Sequence, residues 1–203
     1  MIMPLIIILG RHSINAAIEI RHSALSNLQR VLLGSPLIRD AEQLKVEEIF
    51  NRVVFPLVDE LLKPQVASKD LQGMPETRMK GSALLCKVFM HLEVRESRQR
   101  TDFRLLWIQV LDLLDRLMNV NRGDQLVSYF CPLCLLMLIV VQYEAVPESL
   151  KNILLVMNTI GILIPPGQQQ TELQRTLWTN TQERMERFLP GFLREVIPPA
   201  ATP

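Results

Sequence analysis

The chain has 203 residues, of which 48% are hydrophobic and 21% are charged, and its net charge is +1. This composition supplies enough apolar surface for the core of one domain and argues against disorder. The near-neutral charge and the 5% aromatic content argue against a nucleic-acid partner, which needs a basic surface or rings that stack on bases. Three cysteines are too few, and odd in number, for a disulfide framework, so we expect a reducing, cytoplasmic compartment.

The first part of the chain predicts two helices, because apolar residues recur at helical spacing and no stretch alternates as a strand would. The first is expected over 14–33 and the second over 40–62, where Pro56 predicts a kink or a break because proline lacks a backbone N–H. Residues 63–75 predict a flexible connection. The opening residues 1–13 have no preceding basic residue and no cleavage site, which favours a buried helix or an irregular start over a secretory signal.

The rest of the chain predicts helices that begin at prolines or at polar caps. Pro75 is expected to open a third helix and Pro147 a later one, because a first turn does not need the missing N–H. Thr101 should cap the helix between them, which is followed by a turn over 119–124, and Thr171 should cap a last helix that continues to Val196. The apolar stripes predicted on these helices comprise Met79, Ala83, Cys86 and Met90, then Phe103, Leu106, Trp107, Val110, Leu114 and Leu117, then Leu150, Ile153, Leu154 and Met157, and finally Leu173, Leu177, Trp178, Met185 and Phe188.

Helices with one apolar stripe and short connections must stack on one another, either as a compact bundle or as a solenoid of hairpins. A repeated pattern favours the solenoid. Two segments share an arginine, a small residue three positions on, a leucine and a bulky apolar residue, which suits the inner helix of a repeat. They are Arg21, Ala24, Leu28 and Leu32 in one segment and Arg78, Gly81, Leu85 and Phe89 in the other. We therefore predict an all-α fold of HEAT- or armadillo-like helical hairpin repeats.

No group of residues predicts a catalytic, cofactor-binding or metal-binding site. Cys131 and Cys134 have the spacing of a redox pair or of half a zinc site, but no strand precedes them, and Cys86 and the histidines supply no second ligand pair. The other candidates are isolated histidines and carboxylate pairs on helices, which are typical of solvated surfaces. They are His12, His22, His91, Glu47 with Glu48, Asp112 with Asp115, and Glu183 with Glu186. We therefore expect no enzyme activity in this chain.

Residues 126–142 carry no charge and leave two interpretations open. Tyr129 and Tyr143 near the two ends favour a membrane span, because aromatic residues lie at membrane interfaces. A helix of this length rises only about 25 Å against a hydrocarbon layer of about 30 Å. Pro132 also lies inside the segment, and both facts favour a buried core helix.

Six segments, taken in order, carry a family resemblance. They are IRHSALSNLQRVLL from residue 20, NRVVFPLVDELL at 51–62, PETRMKGSALLCKVF at 75–89, LLWIQVLDLLDRLM at 105–118, EAVPESLKNILLVMNT at 144–159 and LWTNTQERMERFLPGFLREV at 177–196. Together they resemble the C-terminal region, downstream of the Sec7 domain, of the large Golgi brefeldin-A-resistance factors, which are exchange factors for Arf GTPases. TRM and PESLKN are the most discriminating parts of the match.

The resemblance implies a helical-repeat scaffold that is part of a longer parent protein and lies peripherally on Golgi membranes. In this family the Sec7 domain inserts a glutamate toward the nucleotide site of the GTPase, and no segment here corresponds to that domain. The implied partners are the preceding helical regions of the parent and Golgi membranes or membrane-bound proteins, with Arf reached only through the Sec7 domain. The alternative is a small membrane-associated protein anchored by residues 126–142.

Residues 127–142 depart from the family pattern. Relatives continue from a turn like 124–126 almost directly into a segment like 143–147. Val127 and Ser128 can be encoded by GTGAGT, a typical intron start, and Gln142 by CAG, a typical intron end, so we hypothesise that this insert is a retained intron. The expected organisation is an unmatched segment 1–13, a helical-repeat region 14–197 that contains the insert, and a disordered tail 198–203.

Overall fold

The computed structural model describes residues 2–34, 46–94, 103–123 and 132–198, and it contains helices and turns but no strand within those ranges. We number the helices in chain order and name the two π-helical stretches separately. They are α1 Ile2–His12, α2 Ile18–Gly34, α3 Val46–Ile49, the first π turn Phe50–Val54, α4 Phe55–Leu62, α5 Pro64–Ala67, α6 Met74–Phe89, the second π turn Met90–Val94, α7 Phe103–Gly123, α8 Pro132–Thr159, α9 Glu172–Phe188 and α10 Phe192–Val196.

The helices form hairpins that stack in two layers. α3, the first π turn and α4 follow one another without interruption, and we call them the α3–α4 rod. One layer consists of α1, the α3–α4 rod, α7 and α9, and the other consists of α2, α6, α8 and α10. Each helix packs against its hairpin partner and against the next helix of its own layer, which is the arrangement of a helical solenoid. The prediction of an all-α fold built from hairpin repeats is confirmed.

Two helix starts have clear local causes. The side chain of Asn15 accepts a hydrogen bond of 2.9 Å from the backbone N–H of Ala17, which satisfies a free donor just before α2. Thr171 caps α9 as predicted, because its hydroxyl accepts from the N–H of Gln174 while the Gln174 side chain accepts from the N–H of Thr171. Thr101, the other predicted cap, lies outside the described residues.

The core runs through the whole stack and includes five aromatic rings at its centre. The Phe89 ring stacks on Trp107 with 5.3 Å between centroids, and it also meets Phe50 and Phe103 at 6.3 and 5.5 Å. Phe55 extends the cluster through Phe50. The predicted stripe of α7 is confirmed, since all six of its members are buried. The predicted stripe from Leu150 to Met157 on α8 is confirmed in the same way.

The break predicted at Pro56 does not occur, since helical structure continues from Val46 to Leu62. The helix instead changes its hydrogen-bonding register just before the proline, where the N–H of Phe55 donates to the carbonyl of Phe50, five residues back. This extra residue per turn places Pro56 in the first turn of α4, where its missing N–H is not needed. Of the predicted span 40–62, residues 40–45 lie outside the described part.

The connection 63–75 is ordered, contrary to the predicted flexible linker. It contains the short helix α5 and a series of turns, and Val66, Ala67 and Met74 are buried in the core. Asp70 lies in one of these turns and pairs with Arg21 of α2. The polar composition that suggested flexibility therefore reflects turn geometry and an ion pair.

Helix α6 is buried on more sides than an amphipathic stripe predicts, because it packs against α2, α4, α7 and α8. Of the predicted stripe only Cys86 is buried, while Met79, Ala83 and Met90 are half-buried. Gly81 allows the close approach of α4, since a Cβ atom there would lie 2.7 Å from Cδ1 of Leu61. Pro75 opens this helix as predicted.

Three boundaries in the C-terminal half differ from those predicted. α7 runs to Gly123 through the predicted turn 119–124, whose last residue lies outside the described part. Pro147 lies inside α8 instead of starting a helix. The last helix ends at Phe188, and a turn at Gly191, where φ is +77°, separates it from α10. Leu173 is exposed, in contrast to the other four members of its predicted stripe.

Within the residues that the structure describes, no helix is both long enough and apolar enough to cross a membrane. Residues 126–131 of the predicted apolar segment, and the predicted tail from 199 onward, lie outside those residues.

Candidate functional site

Two buried arginines are the most unusual side chains of the described core. Arg21 of α2 is fully buried and Arg78 of α6 is 5% exposed. They are the first positions of the two repeated segments, and the other members of both segments are buried as well. A buried guanidinium must be hydrogen-bonded and its charge must be balanced. The partners of these two arginines therefore show which parts of the stack are held together by polar contacts.

Arg21 joins the first hairpin to the second. Its Nη1 donates to the carbonyls of Asn15 and Ala16, both at 2.9 Å, and thereby holds the turn that precedes its own helix. Its Nε donates to the Thr77 hydroxyl at 3.1 Å, and its Nη2 pairs with the Asp70 carboxylate. The Thr77 hydroxyl in turn donates to the carbonyl of Gly73. The network therefore spans α2, the 63–75 connection and α6.

Asp70 is held as a carboxylate by this network. The hydrogen bond from Arg21 and the backbone N–H of Gly73, which donates at 3.0 Å, lower the pKa of Asp70 below its ordinary value. Sequence reasoning singled out Arg21 but not Asp70 or Thr77. The signal that was available is the charge of Arg21 within an apolar stripe, which requires a carboxylate nearby.

Arg78 binds the first helix of its own hairpin. Its Nε donates to the carbonyl of Leu61 at 2.9 Å, in the last turn of α4. Arg21 likewise donates to carbonyls in the turn that joins α1 to α2, the two helices of its own hairpin. The repeated arginine thus has the same task in both hairpins, which is to satisfy carbonyls that the preceding helix or turn leaves free.

A second polar group lies beside the first on the outer side of α2 and α6. Lys80 Nζ is 3.0 Å from Nδ1 of His22 and 2.8 Å from the Glu76 carboxylate. Burial, followed by the charge of Lys80, lowers the pKa of His22. The Nε2 atom of His22 is buried without a hydrogen-bond partner in the described structure. The neutral imidazole is therefore the form that this site favours.

The thiols form no reactive site among the described residues. Cys86 is buried in α6, and burial raises the pKa of its thiol to about 12, which makes it inert at neutral pH. Cys131 and the side chain of Cys134 lie outside the described part, as does any pairing between them. His12 is exposed, His91 is half-buried in the second π turn, and the described residues contain no cluster of metal-ligand type.

The carboxylates that the sequence grouped in pairs serve as separate surface contacts. Asp112 of α7 accepts from Nε of Arg184 on α9 at 3.1 Å, whereas Asp115 accepts from Asn119. Glu48 pairs with Arg52 at 2.6 Å. In the remaining pair, Glu183 is exposed and Glu186 accepts a hydrogen bond from the N–H of Gly191.

The outer face of α1 is apolar and uncovered. Leu5 and Ile8 are 48% and 50% exposed, although they belong to a helix whose inner residue Ile6 is fully buried. The arrangement as a whole offers buried structural networks, exposed charged faces and an uncovered apolar helix face. These features are those of a helical-repeat protein.

Comparison with known proteins assigns the family. A family model described as "GBF1-like, tetratrico peptide repeat region" matches residues 2–192, so the chain belongs to that family. The match includes α1, which the sequence analysis left outside the region of resemblance. The family description specifies tetratrico peptide repeats where the sequence suggested HEAT- or armadillo-like ones.

Curated relatives agree with this assignment. The chain is 30% identical over 198 residues to a Golgi-specific brefeldin A-resistance guanine nucleotide exchange factor 1 homolog of Caenorhabditis elegans, which covers 96% of the chain and 8% of that protein. It is 31% and 28% identical to the ARF guanine-nucleotide exchange factors GNOM and GNL1 of Arabidopsis thaliana, with 89% of the chain and 11% and 12% of those proteins covered.

The chain thus spans only about a tenth of the length of the curated relatives that it matches, and the matched part is a repeat region, not the Sec7 domain. The predicted resemblance to the Golgi Arf exchange factors is confirmed. No solved structure gives a significant match to this chain.

Proposed function

We propose that this chain acts as a non-catalytic scaffold region of a Golgi Sec7-type Arf exchange factor in vesicle-mediated transport, cytoplasmic and peripheral on Golgi membranes. Family membership and the names of the relatives support this proposal. In this view nucleotide exchange on Arf belongs to a Sec7 domain, and the repeats hold and orient that domain through contacts with neighbouring regions. The chain needs no cofactor for this role.

The observation that carries the proposal is the uncovered apolar face of α1. In a solenoid, each hairpin buries its apolar surface against the next one, so an exposed apolar face at one end favours the stacking of a further hairpin. Leu5 and Ile8 form such a face, while Ile6 on the opposite side is sealed in the core. The occupant that we propose is a preceding helical region of the parent protein.

A binding experiment tests this contact. The chain and the preceding helical region of its parent are produced separately, and their association is measured by isothermal titration calorimetry. We expect binding that is lost in the double variant Leu5→Glu, Ile8→Glu, because two carboxylates cannot be buried without partners. The control variant Leu173→Glu changes an even more exposed leucine, 65% exposed and on α9, and should bind normally. Undiminished binding by the double variant would contradict the proposed surface.

An exchange assay tests the absence of catalysis. Arf loaded with a fluorescent guanine nucleotide is mixed with the chain, and nucleotide release is followed with an isolated Sec7 domain as the positive control. We expect the spontaneous rate with the chain and an accelerated rate with the control. Acceleration by the chain alone would show that it is an exchange factor in its own right.

A further inference from the structure

A groove of about 340 Å³ lies between α1 and the α3–α4 rod, and nothing in the described structure fills it. Gly10 and Val53 are the points of close approach, since a Cβ atom at Gly10 would lie 3.3 Å from Cγ1 of Val53. Beside this contact, Ile7, Ile14 and Leu57 supply an apolar lining. The volume lies at the lower end of the range for ligand sites, about 300–1,000 Å³, and suits one or two aliphatic side chains.

The charges at this groove differ from those at the other junctions of the same layer. Asp59 of α4 accepts from Arg116 of α7 at 2.6 Å, and Asp112 of α7 accepts from Arg184 of α9 at 3.1 Å. An ion pair therefore bridges each of these two junctions. Among the described residues, no ion pair joins α1 to the α3–α4 rod.

Cations stand on both walls of the groove, and its carboxylate is already paired. Arg11 lines it from α1 and Arg52 lines it from the rod. Glu48 already binds Arg52, and the one carboxylate of the groove, Glu60, is bound by Lys63 at 2.5 Å. Arg11 is exposed and has no carboxylate partner in the described part of the chain. The groove thus has an apolar floor and an excess of positive charge on its rim.

We propose that this groove binds a short peptide segment of a protein partner in which one or two large aliphatic side chains adjoin an acidic residue. The aliphatic side chains would fill the floor, and the carboxylate would lie between Arg11 and Arg52. There it would supply the bridge that Asp59 and Asp112 supply at the other two junctions. The inference rests on the proposed function only in treating the chain as an interaction region. It concerns a different surface from that of Leu5 and Ile8.

The test measures fluorescence anisotropy with a labelled peptide, Gly-Leu-Leu-Asp-Glu-Leu-Gly, at physiological salt. Two control peptides replace its acids by Asn and Gln, or its leucines by serine. We expect the full chain to bind the parent peptide and to bind each control peptide about tenfold more weakly or worse. Equal affinity for the neutral peptide would overturn the proposal, as would a lack of binding by the parent peptide.

Variants of exposed arginines locate the site without disturbing the core. Arg11→Glu should weaken binding of the parent peptide by about tenfold or more, and Arg52→Gln should weaken it to a lesser extent because Glu48 already shares that charge. Arg187→Glu is the matched control, since Arg187 is also an exposed arginine but lies on α9, and it should leave the affinity unchanged. An equal loss in Arg11→Glu and Arg187→Glu would overturn the assignment.

Two further measurements separate other occupants of the groove. Vesicles containing phosphatidylserine test whether an anionic membrane is the ligand. Analytical ultracentrifugation tests whether a second copy of the chain fills the groove. Arg11-dependent binding of vesicles without peptide binding, or self-association abolished by Arg11→Glu, would overturn the proposal. Because Arg11→Glu leaves Leu5 and Ile8 in place, loss of the upstream contact and loss of peptide binding remain distinguishable.

Discussion

At the scale of single residues, the stack depends on polar side chains placed where a core would normally exclude them. Burying Arg21 is tolerable only because four acceptors surround its guanidinium and one of them, Asp70, is charged. The sequence alone revealed that Arg21 and Arg78 are equivalent, since the repeated pattern is local. It could not reveal Asp70 as the partner, because 49 residues separate the pair and the linker composition suggested flexibility.

Asp70→Ala should destabilise the chain by about 2 kcal/mol, because it leaves the Arg21 charge buried without a counter-charge. This loss of unfolding free energy is smaller than that expected for a fully buried ion pair, because the Asp70 side chain is 23% exposed. Urea denaturation of both proteins measures the difference. Asp59→Ala is the matched control, since it breaks the exposed pair with Arg116 and should cost no more than about 0.5 kcal/mol. Equal effects of the two variants would show that the Arg21 network contributes little to stability.

His22 should make the chain less stable as the pH falls below about 6.5, its ordinary pKa. The folded state favours the neutral imidazole because of burial and of the adjacent Lys80 and Arg21, with Glu76 and Asp70 opposing their effect. The unfolded chain therefore binds the proton first, and stability is lost with falling pH. The melting temperature between pH 7.5 and pH 5.5 should fall less steeply in His22→Asn than in the parent.

His12→Asn is the control for that measurement, because it replaces an exposed histidine at the end of α1 and leaves the group of His22, Lys80 and Glu76 intact. A profile that is as steep in His22→Asn as in the parent would assign the acid sensitivity to other groups.

At the scale of elements, apolar periodicity predicted where helices lie much better than where they end. The stripe of α7 and the cap of α9 at Thr171 followed from spacing and from a local hydrogen-bond motif. The two prolines illustrate what could not be predicted. Pro56 follows a π turn and Pro147 lies in the interior of α8, and neither outcome follows from the local residue pattern.

Deletion of residues 127–142 should leave a folded chain whose melting temperature is unchanged or higher. In α8 the proline ring at 147 removes a hydrogen bond and crowds the preceding turn, a cost of about 3 kcal/mol in a helix interior. After the deletion Pro147 would stand in the first turn, where this cost disappears. The buried residues Val146, Leu150 and Ile153 would keep their places. Circular dichroism and a thermal melt compare the two proteins.

The origin of the same segment is tested at the transcript. Under the retained-intron hypothesis, sequencing of messenger RNA across this region should find a spliced form in which codon 126 is followed directly by codon 143. A continuous coding exon without any spliced form would exclude the hypothesis.

For the deletion experiment, loss of cooperative unfolding in the chain that lacks 127–142 would contradict the prediction and would identify the segment as part of the native core.

At the scale of the whole molecule, stability should be distributed unevenly along the stack. Helix α6 packs against four other helices, and its Phe89 contacts rings from the α3–α4 rod and from α7. At the C-terminal end, the main packing contacts of α10 are with α8 and α9. In a one-dimensional stack, a central defect separates the two ends, whereas a terminal defect stays local.

Phe89→Ala should therefore destabilise the whole chain by about 3–5 kcal/mol, whereas Leu193→Ala on α10 should loosen mainly α9 and α10. Amide hydrogen exchange distinguishes the two cases, since the first variant should accelerate exchange throughout and the second only at the C-terminal end. Both side chains are buried, so the two variants are matched in burial and differ in position and in the size of the side chain removed. Uniformly faster exchange in Leu193→Ala would indicate a single compact cooperative unit.

The contacts of Arg21 also decide where this molecule can be cut and recombined. That guanidinium donates to acceptors as far apart in the chain as Asn15 and Thr77. In any chimaera, Arg21 and its acceptors must therefore come from the same parent protein. A graft that exchanges the first hairpin alone would leave a charged guanidinium buried in the apolar core without its carboxylate partner. An exchange of the first two hairpins as one block would carry the donor and its acceptors together.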